Sequence, residues 1–277
     1  MFRLMADKLK KFGRRRLRYV WLTGEMIKRN FLSAMEYRTA FLIQVGGMIL
    51  NDFGLLLIWV IFFQKFPSIN GWHFEDMALV FALATINYGL TLFAFRGLHD
   101  IARSVSSGEL DHFLSAPVNP LWHVATSRAG ISDIGDTLFG VIVYCLFTGE
   151  VTLEKTGVFA VVVLVSGVIM FSFMVLMQSL AFYVGRFEDA ADQLFFLLIG
   201  FALYPQNIFH GALKVVMLTI VPAYFAATLP VELVRSFNWR WLGVLVAFAV
   251  FITALALWVF NRGLKRYESG NLINTRM

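Results

Sequence analysis

Long apolar runs with few or no charged residues alternate with short charged segments along most of the chain. About 20 helical residues, at about 1.5 Å each, cross the roughly 30 Å hydrocarbon core of a bilayer, so runs of this length predict transmembrane helices. Six such runs occupy residues 39–63, 77–95, 122–149, 157–184, 194–209 and 241–260. Because an open sheet cannot satisfy its backbone hydrogen bonds in lipid, the pattern predicts an all-α, polytopic membrane protein with six transmembrane helices.

A further apolar run at residues 215–229 is shorter and contains Pro222. As a span it would place the C-terminus outside, yet the tail carries four basic residues: Arg262, Lys265, Arg266 and Arg276. Basic residues favour the cytoplasmic side of a membrane. We therefore predict that residues 212–229 form a re-entrant hairpin before the last helix, entering and leaving by the outer face.

The basic residues concentrate on one side of this topology. Five of the 24 fall in predicted outer segments, namely Lys65, Lys155, Lys214, Arg235 and Arg240. The positive-inside rule therefore predicts that both termini are cytoplasmic.

The chain divides into a cytoplasmic region (residues 1–38), a transmembrane domain (39–262) and a cytoplasmic tail (263–277). The first region holds 11 of the 24 basic residues. Residues 17–38 predict an amphipathic helix lying among the lipid headgroups, with its basic side toward anionic lipid. A basic tail can also bind nucleic acid, but the apolar run that follows it favours a membrane anchor, so we expect no nucleic-acid partner.

The composition agrees with a membrane protein. Apolar residues make up 58% of the chain, charged residues 15%, and the mean hydropathy is +0.70. These values exclude a disordered chain and a collagen-like fibre, and they are untypical of a soluble enzyme. Cys145 is the single cysteine, which excludes an internal disulfide framework and a multi-thiolate metal site.

Catalytic and nucleotide-binding motifs are absent from the sequence. It contains no G-x-x-x-x-G-K-[ST] loop, no H-E-x-x-H, no G-x-S-x-G and no cysteine pair. We therefore predict neither catalytic residues nor metal ligands on this chain. Arg128, Asp133 and Asp136 lie near the inner half of the third span, where they form either an ion pair or part of a substrate site.

The segment 96–122, between the second and third spans, is too long for a simple turn. Gly108 predicts a helix stop, and an apolar ridge of Leu110, Phe113 and Leu114 follows at helical spacing. A short exposed helix with such a ridge either docks into a groove on another protein or lies on the membrane surface.

Residues 108–121 read G-E-L-D-H-F-L-S-A-P-V-N-P-L. This stretch resembles the G-x-L-D-x-x-L-x-x-P-x-x-P-L signature of type-2 exporter permeases of the ATP-binding-cassette (ABC) class. The amphipathic helix, the six spans and the hairpin before the last span are also similar to that family. In such permeases the stretch is a coupling helix that fits a cleft on a separate ATPase.

The resemblance implies two contact regions for the ATPase. The docking stretch comprises Gly108, Glu109, Leu110, Asp111, His112, Phe113 and Leu114, with Pro117 shaping its exit. A second cytoplasmic contact comprises Arg186, Glu188 and Asp189, with Asp192 as a further candidate.

The resemblance also implies a function and partners. The chain would export an amphipathic, drug-like or lipid-linked substrate from a bacterial cytoplasm across the inner membrane. Its partners would be an ABC ATPase subunit, which carries ATP and Mg²⁺, a second permease subunit in a homodimer or heterodimer, and membrane lipids. No cofactor is expected on this chain. The alternatives are a secondary transporter or channel component without an ATPase, and a lipid-modifying membrane enzyme with Asp133 and Asp136 as metal ligands.

Polar residues inside the predicted spans are candidates for the transport pathway. Asn51 and Asp52 lie in the middle of the first span, where a charge is unfavourable and faces either a cavity or another helix. Asp52 therefore lines the pathway or holds helices together. Tyr204, Gln206 and Asn207 surround a break at Pro205 in the fifth span, which suits a gate or a simple kink.

Overall fold

The computed structural model of the chain describes residues 23–149, 151–204, 209, 211, 215–216 and 219–268. Every regular element within these ranges is helical, apart from an isolated bridge between Ile69 and Trp72. The predicted all-α class is confirmed for this part of the chain.

The helices follow one another with short connections. Helix α1 covers residues 23–36, followed by α2 (Arg38–Lys65), α3 (Phe74–Phe95), α4 (Ile101–Ser107), α5 (Leu110–Leu114), α6 (Pro120–Thr126), α7 (Ile134–Phe147), α8 (Leu153–Ser179), α9 (Ala181–Val184), α10 (Glu188–Ala202), α11 (Leu229–Arg235) and α12 (Trp239–Leu264). Short 3₁₀ turns cover Arg96–Asp100 and Ile131–Asp133, and a π-helical turn covers Tyr224–Thr228.

Four helical segments are long and apolar enough to cross a membrane: Arg38–Lys65, Phe74–Ser107, Leu153–Val184 and Trp239–Leu264. A fifth candidate is the pair α6 and Ile131–Phe147, bent by 72°. The described chain is thus a polytopic membrane protein with four or five candidate spans. They correspond to the first, second, third, fourth and sixth predicted spans.

The predicted fifth span and the predicted hairpin lie partly outside the described residues. Helix α10 has 15 residues and ends at Ala202, before the predicted end of the fifth span at residue 209. In the second half of the hairpin, the π-helical turn continues directly into α11, so the helical segment extends past Leu229 to Arg235. Six spans and a re-entrant hairpin therefore stay predictions.

The third span is broken, although the sequence predicts it as one run over 122–149. The break is held by the end of α3. The Gly130 N–H donates to the Leu92 carbonyl (3.1 Å), and the Gly97 N–H donates to the Arg128 carbonyl (3.4 Å). These bonds satisfy backbone groups that an interrupted helix leaves free.

Helix α3 forms the centre of the core and packs closely on α7. A Cβ atom at Gly140 of α7 would lie 2.5 Å from the Thr85 Oγ1 and 2.8 Å from the Ala82 carbonyl oxygen. Thr85 Oγ1 itself donates a hydrogen bond to the Phe81 carbonyl oxygen at 2.8 Å. A residue without a side chain at this crossing lets the two helices approach each other, as is common between membrane helices.

Helix α2 is much less enclosed. In its most apolar stretch of 18 residues, 11% is buried, compared with 72% in the corresponding stretch of the span that contains α3. Its buried residues are Asp52, Leu56 and Phe63. Large apolar side chains such as Leu42, Leu50 and Ile58 are exposed, so this face is available to lipid or to another subunit.

Replacement of Gly140 by Ala is expected to destabilise the bundle by about 1–3 kcal/mol, because the added methyl group forces α3 and α7 apart. The matched control is Gly157→Ala in α8, where a Cβ meets nothing within 4 Å. The measurement is the thermal unfolding midpoint of the purified proteins. Equal midpoints for the two variants would contradict the close α3–α7 contact.

Cys145 tests the predicted orientation. It is exposed near the end of α7, on the side predicted to be outer. We expect membrane-impermeant maleimide to label it in intact cells, with Cys145→Ser as the unlabelled control. Labelling that occurs only in inside-out vesicles would reverse the topology.

Candidate functional site

The docking stretch forms a short helix between two turns. Helix α4 ends at Gly108, whose φ of 80° is in the left-handed region that glycine adopts without strain. Helix α5 then spans Leu110–Leu114, with Glu109 at its N-cap. After the exposed Pro117, the Asn119 side chain caps α6 by accepting from the Trp122 N–H at 3.2 Å. The predicted helix stop and helix are both present.

The apolar ridge of this helix is only partly exposed, which corrects the sequence-based expectation. The Leu110 side chain is fully buried, and Phe113 packs against the core. The Phe113 ring meets the His123 ring edge-on at 5.0 Å. Leu114 is exposed, as are Glu109, Asp111 and His112. Leu110 thus anchors α5 to its own chain, and the outer face combines charge with one apolar side chain.

Tyr267 lies near the docking stretch, just beyond the end of the last helix. It lies beyond the end of α12, and its ring contacts Phe182 edge-on at 6.3 Å. Burial, together with the neighbouring Asp111 carboxylate, raises the pKa of Tyr267 to about 12. The hydroxyl therefore stays neutral at physiological pH. Sequence reasoning missed this contact because 155 intervening residues carry no signal for it.

The second predicted cytoplasmic contact lies beside the same loop. His99 Nδ1 is 2.8 Å from Asp192 Oδ1, which also accepts from Gln178 Nε2 at 2.7 Å. The Gln178 Oε1 accepts from the Ala102 N–H at 3.1 Å. These bonds join the start of α4 to α8 and α10 around a fully buried amide side chain.

The charged residues of the second contact divide into two groups. Glu188 Oε2 lies 3.5 Å from Nε of Arg103 in α4. Glu188 therefore helps to connect the second contact region to the loop that carries the docking stretch. Arg186 and Asp189 are exposed to solvent. Both predicted contact regions therefore lie at one end of the bundle.

The predicted pathway residues do not form one site. Asn51 is exposed on α2, whereas Asp52 is 7% exposed and its carboxyl lies near the buried Asp136 of α7. Asp52 thus lies between two helices. Tyr204 meets the Trp59 ring edge-on at 5.5 Å and lines an apolar cavity of about 400 Å³. Gln206 and Asn207 lie outside the described residues.

Two of the three charges predicted in the third span are paired, with partners that the sequence does not indicate. Arg96 Nη1 is 2.8 and 2.7 Å from the two oxygens of Asp133, whose side chain is 1% exposed. Arg128 instead pairs with Asp100 at 3.1 Å. Gly130 packs directly against the Arg96–Asp133 pair, and a Cβ at this position would overlap the Asp133 carboxylate.

Comparison with known proteins identifies the family. A family model described as "ABC-2 family transporter protein" matches residues 49–270. The match covers most of the chain, including both candidate contact regions, so the chain belongs to the ABC-2 transporter family. It is a permease, the membrane component of a transporter, and members of this family generally work with an ABC ATPase. No curated protein and no solved structure matches the chain significantly.

The Arg96–Asp133 pair gives a direct test of the site. Arg96→Gln alone is expected to destabilise the protein by about 1–3 kcal/mol, because it leaves a buried carboxylate without its partner. Adding Asp133→Asn removes that charge and should restore most of the lost stability.

The measurement is again the thermal unfolding midpoint. Arg103→Gln is the control, since its ion pairs are exposed and worth about 1 kcal/mol or less. If the double variant unfolds no higher than Arg96→Gln alone, the pair does not hold the site together.

Proposed function

We propose that the chain is the permease subunit of an ATP-driven exporter, and that a separate ABC ATPase binds the docking stretch. The observation that carries this proposal is the geometry of α5. Its outer face exposes Glu109, His112 and Leu114, while Leu110 holds it in the core. A short helix whose inner face packs in the core and whose outer face is exposed suits insertion into a cleft on another protein.

Rigid contacts allow a movement of α5 to reach the membrane helices. Tyr267, just beyond the end of α12, lies near Asp111 of α5, and the Gln178 side chain joins the same loop to α8 and α10. ATP and Mg²⁺ bind on the partner, and closure of the ATPase displaces the docking stretch. Different affinities of the partner for two permease conformations then drive the transport cycle.

The exposed face of α2 supports a second permease subunit. In addition to its large apolar side chains, α2 carries Gly47 and Gly54. A Cβ atom added at either glycine would have no other heavy atom of the described chain within 4 Å. Glycines on an open helix face allow another membrane helix to approach closely. The assembled transporter would contain two permease chains, identical or related, surrounded by membrane lipids.

The cavity at Tyr204 and Trp59 supports an amphipathic or lipid-linked substrate. Its wall consists of apolar and aromatic side chains from α2, α3 and the end of α10, including Phe62 and Phe81. Such a wall suits a hydrocarbon or aromatic portion of a substrate. The proposal includes four further features: export from the cytoplasm, six spans with a re-entrant hairpin, both termini inside, and a bacterial inner membrane.

A secondary transporter or channel component is the second candidate, because Asp52 of α2 and Asp136 of α7 are two buried carboxyl groups near each other. That candidate requires ion-driven transport without an ATPase. The alternative of a metal-dependent enzyme is disfavoured, since both Asp133 oxygens bind Arg96.

The docking assignment is tested by combining Glu109→Lys with Leu114→Asp. Both side chains are exposed, so the fold is expected to survive while the face offered to the ATPase changes in charge and polarity. We expect loss of an ABC ATPase that co-purifies with the tagged wild-type chain from its native membranes and is identified by its P-loop sequence.

The control makes the same two changes at the opposite end of the bundle, Glu154→Lys with Leu153→Asp. Leu153 is 92% exposed at the start of α8. This variant should retain the ATPase. A docking variant that retains the ATPase as well as the control does would place the contact elsewhere, and ion-driven transport without any ATPase would favour the second candidate.

A further inference from the structure

A polar cavity lies where α1 meets α2, at the Arg38 end of the first candidate span. Its volume is about 510 Å³. One wall is Arg96 with the Gly130–Ser132 turn, and the other carries Asn30, Tyr37 and Gln44. The cavity is thus formed between the first two helices and the break in the third span.

Arg96 is the one charged residue that lines this cavity among the described residues. Its side chain is 44% exposed, whereas that of its partner Asp133 is 1% exposed and lies behind it. Among the described residues Arg96 donates to Asp133 through Nη1, so Nε and Nη2 keep donors for another acceptor. An anion entering the cavity would therefore meet the guanidinium rather than the carboxylate.

The remaining walls favour an amphiphile over a free anion. Ala34, Ala40 and Phe41 line the cavity on the side of α1 and α2. Beyond them, α2 exposes Leu42 and Ile43. A headgroup bound to Arg96 would leave its hydrocarbon chains against this apolar helix face.

We propose that this cavity binds the anionic headgroup, phosphate or carboxylate, of an amphiphilic molecule, with Arg96 as the charged contact and Ser132, Asn30 and Gln44 as polar contacts. The proposal deepens the proposed function, on which it rests, by giving the transported amphiphile a negative charge. Arginine suits this role because its planar group donates two parallel hydrogen bonds to such anions.

The test is a binding titration of the full chain, purified in a neutral detergent without any ATPase. The probes are dihexanoylphosphatidic acid, dihexanoylphosphatidylcholine and inorganic phosphate. We expect the phosphatidic acid to bind at least about tenfold more tightly than either of the others, the difference expected when one charge-assisted contact and the apolar chains act together.

The key variant is Arg96→Gln with Asp133→Asn, which removes the guanidinium without leaving a buried charge unpaired. Its affinity for phosphatidic acid should fall about tenfold or more. Arg235→Gln with Asp76→Asn is the matched control: it removes one cation and one anion from an ion pair of 2.9 Å at the opposite end of the bundle, outside the cavity, and should bind as the wild type does. Ser132→Ala, which leaves the ion pair intact, should show a smaller loss.

Three results would overturn the inference: equal binding of the two lipids, unchanged binding by the Arg96 and Asp133 double variant, or binding of inorganic phosphate as tight as that of phosphatidic acid. The last result would make this a site for a free anion. Because the titration contains no ATPase, its failure would leave the exporter proposal standing. Failure to find an ATPase partner would equally leave a positive titration intact.

Discussion

Burial of the Asp133 carboxylate is unfavourable unless a partner compensates its charge. Arg96 does so, with Nη1 at 2.8 and 2.7 Å from the two carboxylate oxygens. Arg96 follows α3 and Asp133 precedes α7. The ion pair therefore joins the end of α3 to the start of α7 and closes the loop that contains α4, α5 and α6. The break in the third span and the wall of the polar cavity lie directly at this contact, and the docking stretch belongs to the segment that it closes.

The loop between Arg96 and Asp133 is anchored by several further contacts. Leu110 is buried beneath α5, Gln178 bonds the start of α4 to Asp192 of α10, and Tyr267 lies against Asp111. The contacts of Gln178 and Tyr267 involve α8, α10 and the end of α12. A partner that moves α5 therefore acts on several helices together, because packed contacts transmit displacement better than a flexible loop does.

The membrane helices themselves are packed unequally. Helix α3 is enclosed by α7 and α8, with Gly140 allowing close approach, whereas the buried residues of α2 are Asp52, Leu56 and Phe63 alone. A helix with few buried contacts can shift at lower free energy than a central one. The polar cavity and the apolar cavity at Tyr204 both border α2, which connects its loose packing with the proposed route of an amphiphile.

The sequence alone determined the helical class, most of the candidate spans and the position of the docking stretch. These follow from apolar run length and from the glycine and proline signals around residues 108–120, which act locally along the chain. Tertiary structure decided which charges pair, that Leu110 faces inward, that α6 and α7 meet at 72°, and that Tyr267 reaches Asp111. The physical reason is distance along the chain: Arg96 and Asp133 are 37 residues apart, and only the packing of α3 against α7 brings them together.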